Sequence, residues 1–239
     1  MFQFLRSLFQ KSVRIPQIVS GKNRFIKIDS DCEHISTEPY GSGWTICPYF
    51  IDEDSIIYSF GIGYNISFDL EIINSFDATI FAFDPTPKSI EWINEQNLPK
   101  QFILNEYGIA NFDGKAKFHP PENPRSISAT LLKRSKTENA AYKVEFKTLN
   151  TIMYEHNHQQ VDLIKINIEG AEYKVIDNLI KTKIKPSQLL IKFHHKFNNV
   201  GINKTINAVN KLRDYGYNVF SVSKAGTEIS FIKKELKGF

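Results

Sequence analysis

The chain has 239 residues, of which 41% are hydrophobic, so it is long enough to bury one sizeable core. Its net charge of +4 is small and its 30 basic residues are spread along the sequence, which disfavours a nucleic-acid partner. Two cysteines, Cys32 and Cys47, lack metal-ligand spacing and are too few to stabilise a chain of this size, so we expect a reducing, cytoplasmic location.

The first nine residues, Met1–Phe9, place their apolar side chains on one helical face. Such a segment either makes weak peripheral contact with a membrane or partner, or packs as a short helix on its own domain. Arg6 interrupts the apolar run, which argues against a secretory signal. No later apolar run is long enough to span a bilayer, so we expect no transmembrane segment.

From Ser55 onward, strand-like and helix-like stretches alternate, as in a largely parallel sheet covered by helices. We predict strands at 55–60 and 78–83, each followed by a helix. The first helix has Ile66 on its apolar face. The second is capped by Thr86 and ends before Pro99.

The middle of the chain is predicted to contain a strand at 101–105 and a hairpin at 108–118 that turns on Asp113 and Gly114. Residues 119–140 are rich in proline, serine and lysine, which predicts a loop and a candidate lid over the site. Alternating apolar and charged residues then predict a half-exposed strand at 142–147.

The last third of the chain continues the alternation of strands and helices. We predict strands at 161–168 and 188–193, a helix through Tyr173, and a helix capped by Asn203. Two closing strands, 217–223 and 227–232, meet at a glycine turn and form an antiparallel hairpin. We therefore divide the chain into an N-terminal extension or cap, 1–54, and a cofactor-binding domain, 55–239.

Two glycines, Gly61 and Gly63, follow the first predicted strand. Because they lack a Cβ atom, the backbone can bend sharply there and a ligand can lie against it, near the free amides of the next helix. A dinucleotide-binding motif would have a third glycine at position 66, where this chain has Ile66. This difference disfavours a dehydrogenase.

Asp84 ends the second predicted strand, at the edge of the sheet where open α/β folds bind ligands. Its carboxylate is suited to bind two ribose hydroxyls. The alternative is that Asp84 caps the following helix, but Thr86 is available for that role. The glycine turn and the acid together predict a nucleotide pocket.

The segment 162–172, with the sequence DLIKINIEGAE, resembles the end of the fourth strand in the FkbM methyltransferase family. The phrases YSFGIG at 58–63, FAFDP at 81–85 and IKFHH at 191–195 are similar to that family's glycine motif, acid-Pro motif and histidine-bearing strand end. The resemblance covers about 44–200, and the EGAE run is its most specific part.

The resemblance implies S-adenosylmethionine (SAM) as cofactor and transfer of its methyl group to a hydroxyl of a small-molecule or glycan acceptor, often a sugar. It places Gly61 and Gly63 against the methionine part of SAM and Asp84 at the ribose. Carried over in the same way, the positions near the adenine are Tyr107 and Gly108, and those facing the reaction centre are Lys165, Asn167 and Glu169.

This chain departs from the family pattern at three positions. Ser59 replaces an acid before the glycine turn and can still hydrogen-bond the amino group of SAM, though without a charge. Asn65 stands in place of a third glycine and remains a candidate cofactor contact. Asn167 replaces the signature aspartate, and because an amide cannot take up a proton, we expect no metal site and a base located elsewhere.

His194 and His195, at the end of a predicted strand, are the candidates for that base. Adjacent side chains on a strand point to opposite faces, so at most one can serve, and a purely structural hydrogen bond is the alternative. Glu169 is a candidate to orient the substrate. His156 and His158 are predicted to be solvated loop residues.

Trp44, which lies beside Gly43, either closes over the ligands or anchors the N-terminal extension in the core, the more common role for tryptophan. We therefore predict an α/β class I methyltransferase fold, with a seven-stranded, mostly parallel sheet, helices on both faces and a terminal antiparallel hairpin. The predicted function is SAM-dependent O-methylation. The alternatives are a non-catalytic SAM-binding module and a nucleotide-dependent oxidoreductase.

Overall fold

The structure is a computed structural model that describes residues 15–16, 18–36, 43–123, 125–197 and 199–236. The predictions for Met1–Phe9 lie outside these residues. The strands, numbered in chain order, are β1 (Ile35–Ser36), β2 (Thr45–Ile46), β3 (Ile56–Phe60), β4 (Thr79–Phe83), β5 (Phe102–Asn105), β6 (Gly108–Ile109), β7 (Gly114–Phe118), β8 (Tyr142–Lys147), β9 (Leu163–Ile166), β10 (Gln188–Lys192), β11 (Tyr217–Val222) and β12 (Glu228–Lys233). In the described residues from 43 onward, the α-helices are α1 (Ser67–Phe76), α2 (Pro87–Asn94), α3 (Leu149–Glu155), α4 (Glu172–Lys181) and α5 (Ile202–Asp214).

Seven strands form one central sheet in the order β11-β12-β10-β9-β3-β4-β5. Strands β10, β9, β3, β4 and β5 run parallel, whereas β12 is antiparallel to β10 and β11 is antiparallel to β12. The sequence order reverses between β3 and β9, which creates the crevice where open α/β sheets bind ligands. The predicted class I methyltransferase fold with its terminal hairpin is confirmed.

Apolar layers cover both faces of this sheet, which explains why its inner strands are almost continuously hydrophobic. Along β3, Tyr58 and Phe60 pack with α3, α4 and α5 in one cluster. Ile57 belongs to a second cluster with α1 and α2. The alternation follows the two-residue period of a strand. It confirms the prediction of helices on both faces.

The hairpin predicted at 108–118 is wrong. Strands β6 and β7 do not pair with each other, and both flank β8 in a small separate sheet of order β6-β8-β7. The carboxylate of Asp113 accepts hydrogen bonds from Thr148 N at 2.7 Å and Thr151 Oγ1 at 3.0 Å, so this segment is anchored at the start of α3. The partner of β7 is β8, the next strand along the chain, which follows the 119–140 loop.

The two cysteines form a disulfide, contrary to the prediction of a reducing location in which they would stay free thiols. Cys32 and Cys47 are 15 residues apart in sequence and their Cα atoms are 6.4 Å apart. The backbone of Cys47 donates to the side chain of Gln188 on β10 at 2.8 Å and accepts from it at 2.9 Å. The disulfide therefore fixes the segment before β3 against the central sheet.

Trp44 is a core residue in this segment. It is only 7% exposed, and its ring packs edge-on against Phe68 of α1. The core-anchor interpretation of Trp44 therefore fits the structure better than a role in closing over ligands. The boundary between an N-terminal extension and the main domain at residue 54 stays a prediction.

The two helix caps predicted from side chains are absent. Helix α5 begins at Ile202, before Asn203, and its N-cap is Gly201. Thr86 occupies the N-cap position of α2, but its side chain makes no capping hydrogen bond. In the described part of the chain, none of the helices is both long and apolar enough to cross a membrane.

Candidate cofactor and acceptor site

A cavity of about 300 Å³ lies at the carboxyl ends of β3, β4 and β9. This volume is at the lower end of the range for small-molecule sites. The predicted site residues that line it are Gly61, Gly63, Asn65, Asp84, Gly108, Asn167 and Glu169. The predicted site residues that are not part of its wall are Ser59, Tyr107, Lys165, His194 and His195.

The glycine turn after β3 forms one wall of the cavity because its backbone excludes side chains. Gly61 and Gly63 both have positive φ angles, +75° and +56°. A Cβ atom on Gly61 would overlap the backbone carbonyl oxygen of Asn167, far inside van der Waals contact. The backbones of β3 and β9 thus meet at a separation that only glycine permits.

Asp84 holds this turn in place. It is 4% exposed, and its Oδ2 accepts a hydrogen bond from Gly63 N at 2.8 Å while Oδ1 accepts one from Thr86 N at 2.8 Å. The carboxylate therefore caps the start of α2 itself, the role the sequence analysis gave to the Thr86 side chain. A carboxylate oxygen has more than one acceptor site, so these bonds leave capacity for ligand hydroxyls.

Two buried polar atoms on the cavity wall have no hydrogen-bond partner among the described residues, Ser89 Oγ and Asn167 Oδ1. A buried polar group without a partner costs about 1–3 kcal/mol, so natural proteins keep few of them and often use them for ligands. This pair fits a polar ligand in the cavity. No motif in the sequence analysis indicated Ser89.

The loop predicted to be a lid forms the opposite wall. Ile127, Ser128, Ala129 and Leu131 line the cavity. Ile127 Cδ1 lies 3.2 Å from the position of a Cβ on Gly63. The Thr130 hydroxyl donates to the carbonyl oxygen of Glu169 at 2.5 Å. The loop therefore touches both the glycine turn and the end of β9, while its opening and closing stay a prediction.

Glu169 lies on the wall in an unusual backbone conformation. Its φ of +51° is in the left-handed region, which is uncommon for residues other than glycine and is found preferentially at functional sites. Burial would raise the pKa of its carboxyl, but its contacts with His194 and Ser128 outweigh burial and lower the pKa. Glu169 is therefore ionised at neutral pH.

His194 lies behind Glu169 rather than on the cavity wall, and it is 7% exposed. Burial by itself would lower the pKa of this imidazole, but its contacts with the carboxylates of Glu169 and Glu172 raise the pKa to about 9. An imidazole that already carries its proton at neutral pH cannot accept one from a substrate. The environment therefore disfavours His194 as the base.

His195 is also buried, with 3% exposure, and is not part of the cavity wall. A base must be within hydrogen-bond reach of the proton that it removes, directly or through one water. The base role predicted for His195 stays a prediction that the cavity geometry does not favour.

Ser59 and Lys165 meet each other in the interior instead of at the cavity. Lys165 Nζ donates to Ser59 Oγ at 3.1 Å, and both residues are at most 3% exposed. Asp69 of α1 is fully buried near this pair, and burial raises the pKa of its carboxyl despite the opposing effect of Lys165. The cofactor contacts predicted for Ser59 and Lys165 stay predictions. In the structure these two side chains hydrogen-bond to each other and do not line the cavity.

Tyr107 packs into an aromatic group beside the cavity. The same group includes His156 and His158, so the prediction that these two histidines are solvated loop residues is wrong. His158 Nδ1 is 2.7 Å from Tyr58 OH, and His156 Nε2 is 3.3 Å from Tyr107 OH. Both imidazoles pack edge-on against Phe81, with centroid distances of 4.9 and 4.7 Å. Burial lowers the pKa of both histidines, so they are neutral ring-packing residues.

Within the described residues, no group of three histidine, cysteine, aspartate or glutamate side chains is arranged to hold a metal ion. The carboxylates near the cavity have other partners. Asp84 binds backbone amides, and Glu172 binds backbone amides and His194.

Comparison with protein families gives one extended match. The sequence profile described as the Methyltransferase FkbM domain matches residues 61–219, which include the glycine turn, Asp84 and the segment from Asn167 to His195.

Among curated proteins, the chain is 23% identical over 181 residues to the human protein described as "Probable methyltransferase-like protein 24". The match covers 68% of this chain and 43% of that protein, so the chain spans less than half of the relative's length.

Among solved structures, the chain is similar to a crystal structure of methyltransferase FkbM from Methylobacillus flagellatus KT, with a TM-score of 0.49 and 11% identity, over 76% of this chain and 44% of that one. It is also similar to Aeropyrum pernix fibrillarin in complex with natively bound S-adenosyl-L-methionine, with a TM-score of 0.43 and 9% identity, over 77% of this chain and 67% of that one.

Proposed function

Because this chain belongs to the FkbM methyltransferase family, we propose that it binds SAM in the cavity between Gly61 and Asp84 and methylates a hydroxyl group of an acceptor. The observation that carries the proposal is the combination, in one cavity, of a glycine turn that admits no side chain at Gly61 and two buried oxygens without a partner among the described residues. A ligand that brings both a flat contact surface and polar atoms fits this arrangement.

Each part of the cavity has a role in this proposal. Gly61 and Gly63 lie against the methionine part of the cofactor, and the carboxylate of Asp84 accepts hydrogen bonds from the ribose hydroxyls. Gly108 and Ser89 flank the adenine side. The side-chain oxygen of Asn167, Oδ1, accepts a hydrogen bond from a donor on the cofactor or the acceptor.

When bound, SAM would supply the methyl group of its sulfonium: the S–CH3 bond breaks as the O–CH3 bond forms, the neutral thioether SAH is left, and the hydroxyl proton is released to solvent. The chain's contribution is to align the acceptor oxygen with that methyl group and to exclude water. Ile127 and Leu131 provide apolar cover on one side. The ionised carboxylate of Glu169 on the wall can accept a hydrogen bond from the acceptor hydroxyl and so orient its oxygen.

The acceptor in this proposal is a sugar, a glycan or a related small molecule, and the support for it is the family resemblance together with a carboxylate that attracts hydroxyl groups. The small net charge of +4 argues against nucleic acid as the acceptor. The cytoplasmic location expected from the cysteine count is not part of the proposal, because disulfides such as Cys32–Cys47 are typical of oxidising compartments.

A second candidate function is a non-catalytic SAM-binding module. It is favoured by Asn167, since an amide stands where the family signature has a carboxylate. Protein that binds SAM but yields no S-adenosylhomocysteine (SAH) with any glycan extract would support this candidate against the enzyme.

The proposed cofactor site is tested by comparing melting temperatures with and without SAH for wild type, Asp84→Ala and Asp214→Ala. Asp214 is an exposed residue at the end of α5 and serves as the matched control. We expect SAH to stabilise wild type and the control, and the stabilisation to be mostly lost in Asp84→Ala. Asp84→Asn is measured in parallel in case the alanine variant does not fold.

The same measurement discriminates between cofactors. Stabilisation by NAD and not by SAH would select the oxidoreductase alternative. An unchanged SAH effect in Asp84→Ala and Asp84→Asn would remove Asp84 from the ribose role.

A further inference from the structure

Glu172 joins two strand ends behind the cavity. It is fully buried at the start of α4, and its Oε2 accepts a hydrogen bond from Gly170 N at 2.9 Å. Its Oε1 accepts one from His194 N, just after β10, also at 2.9 Å. One carboxylate therefore fixes the turn after β9 relative to the end of β10.

The His194 ring lies between this carboxylate and a second one. Its Nδ1 is 3.4 Å from each oxygen of Glu172, and its Nε2 is 3.5 Å from Glu169 Oε1. The Nδ1 contacts are long hydrogen bonds, whereas the Nε2 contact is an ion-pair distance and makes no hydrogen bond among the described residues. The ring therefore lies between two carboxylates, a setting that favours its charged, doubly protonated form. The raised pKa of His194, about 9, agrees with this geometry.

Glu169 is the member of the group that reaches the cavity wall. Its carbonyl oxygen accepts the Thr130 hydroxyl and its side chain interacts with Ser128, so the lid loop contacts it from the other side. Lys192 of β10 adds a positive charge near Glu169, and Tyr173 of α4 faces Glu172. In this setting the orientation of the Glu169 carboxylate depends on the ring behind it.

We propose that His194 is a positioning residue, the central member of a Glu172–His194–Glu169 network that fixes the Glu169 carboxylate at the wall of the acceptor site. The network connects the edge of the central sheet to the Glu169 carboxylate, which lines the cavity. The network itself can be tested without the cofactor, and only the identification of the wall as an acceptor site rests on the proposed function.

The first test is an NMR titration of the His194 ring. In wild type we expect a midpoint of about 9, well above the ordinary 6.5 of a free imidazole. Glu169→Gln and Glu172→Gln should each lower that midpoint, since each removes a negative charge from one ring nitrogen. Glu122→Gln, a control in an exposed ion pair with Lys136 on the lid loop, should leave it unchanged. A wild-type midpoint at or below the ordinary value, or no change in Glu169→Gln, would overturn the proposal.

The second test follows Glu169 itself in protein labelled with ¹³C at the glutamate carboxyl groups. In His194→Gln we expect the Glu169 midpoint to rise above that of wild type, because burial remains while the cation is lost. An unchanged midpoint in a folded His194→Gln variant would show that the ring does not act on Glu169.

SAH-induced stabilisation, measured on the same samples, separates this proposal from the proposed function. We expect His194→Gln to retain most of the SAH effect, because His194 is not part of the cavity wall. If SAH fails to stabilise wild type while the His194 midpoint behaves as expected, the proposed cofactor fails and the network stands.

Discussion

At the scale of single residues, the cavity depends on groups that are either absent or unpartnered. Gly61 contributes by lacking a side chain, and Ser89 and Asn167 each contribute an oxygen without a partner among the described residues. An unpartnered buried oxygen lowers the stability of the free protein, and a bound ligand that supplies a hydrogen-bond partner restores that stability. Two substitutions separate these effects.

Ser89→Ala should make the free protein more stable and weaken ligand binding. The hydroxyl is buried and unpartnered, so its removal should raise the free energy of unfolding by roughly 1 kcal/mol while reducing the SAH-induced shift in melting temperature. Ser230→Ala is the control, since that hydroxyl donates to Thr45 O at 2.8 Å, and its loss should lower stability and spare the SAH effect. An undiminished SAH effect in Ser89→Ala would place the ligand away from α2.

Gly61→Ala should destabilise the protein more than Gly21→Ala does. The two glycines have similar φ angles, +75° and +72°, but a Cβ on Gly21 meets nothing within 4 Å, whereas one on Gly61 overlaps Asn167. The overlap should cost roughly 1–3 kcal/mol beyond the shared backbone strain. Urea unfolding of the two variants measures the difference, and equal midpoints would contradict the close approach of β3 and β9.

The sequence predicted some of these residues and not others for physical reasons. Gly61 and Asp84 each end an apolar strand, so their position at the sheet edge follows from local pattern. Ser89 belongs to no motif, and its placement depends on how α2 packs. The Glu172–His194 contact joins residues 22 apart, and only the parallel pairing of β9 and β10 brings them together.

At the scale of elements, the charged groups of Glu169, Glu172 and His194 connect the turn after β9 to the end of β10. Because the folded protein keeps the pKa of His194 near 9 while the unfolded chain has an ordinary value near 6.5, the unfolded state releases its proton first as pH rises. The stabilisation by His194 is fully present below pH 6.5 and is lost as pH rises through 9.

We therefore expect the free energy of unfolding to fall between these pH values, by about 1.4 kcal/mol per pH unit at most. In His194→Gln this fall should be absent. Urea unfolding at a series of pH values measures both slopes. The same slope in wild type and in the variant would assign the pH dependence to other groups.

The Cys32–Cys47 disulfide acts on a different element, the segment that precedes β3. Closing a loop of 15 residues stabilises a protein by about 3 kcal/mol in the chain-entropy account. A reductant should therefore lower the melting temperature of wild type and have no effect on the Cys32→Ser, Cys47→Ser double variant. A wild-type melting temperature that stays constant after both thiols are shown to be free would contradict this role.

At the scale of the whole molecule, local pattern predicted the central sheet but not the small one. Strands β3, β4, β9 and β10 are buried on both faces, so each is a short apolar run that can be recognised in isolation. The partner of β7 is β8, and the intervening loop carries no signal that distinguishes this pairing from a hairpin with β6. The disulfide was likewise missed, since a spacing of 15 residues matches no motif.

The proposed function requires SAM to bind in the cavity at the carboxyl ends of β3 and β4, and a crystal structure of the protein grown with SAH tests this most directly. We predict SAH at the carboxyl ends of β3 and β4, with its ribose hydroxyls on Asp84 and polar atoms within hydrogen-bond distance of Ser89 Oγ or Asn167 Oδ1. SAH bound elsewhere, or a cavity that excludes it at saturating concentration, would contradict this binding site.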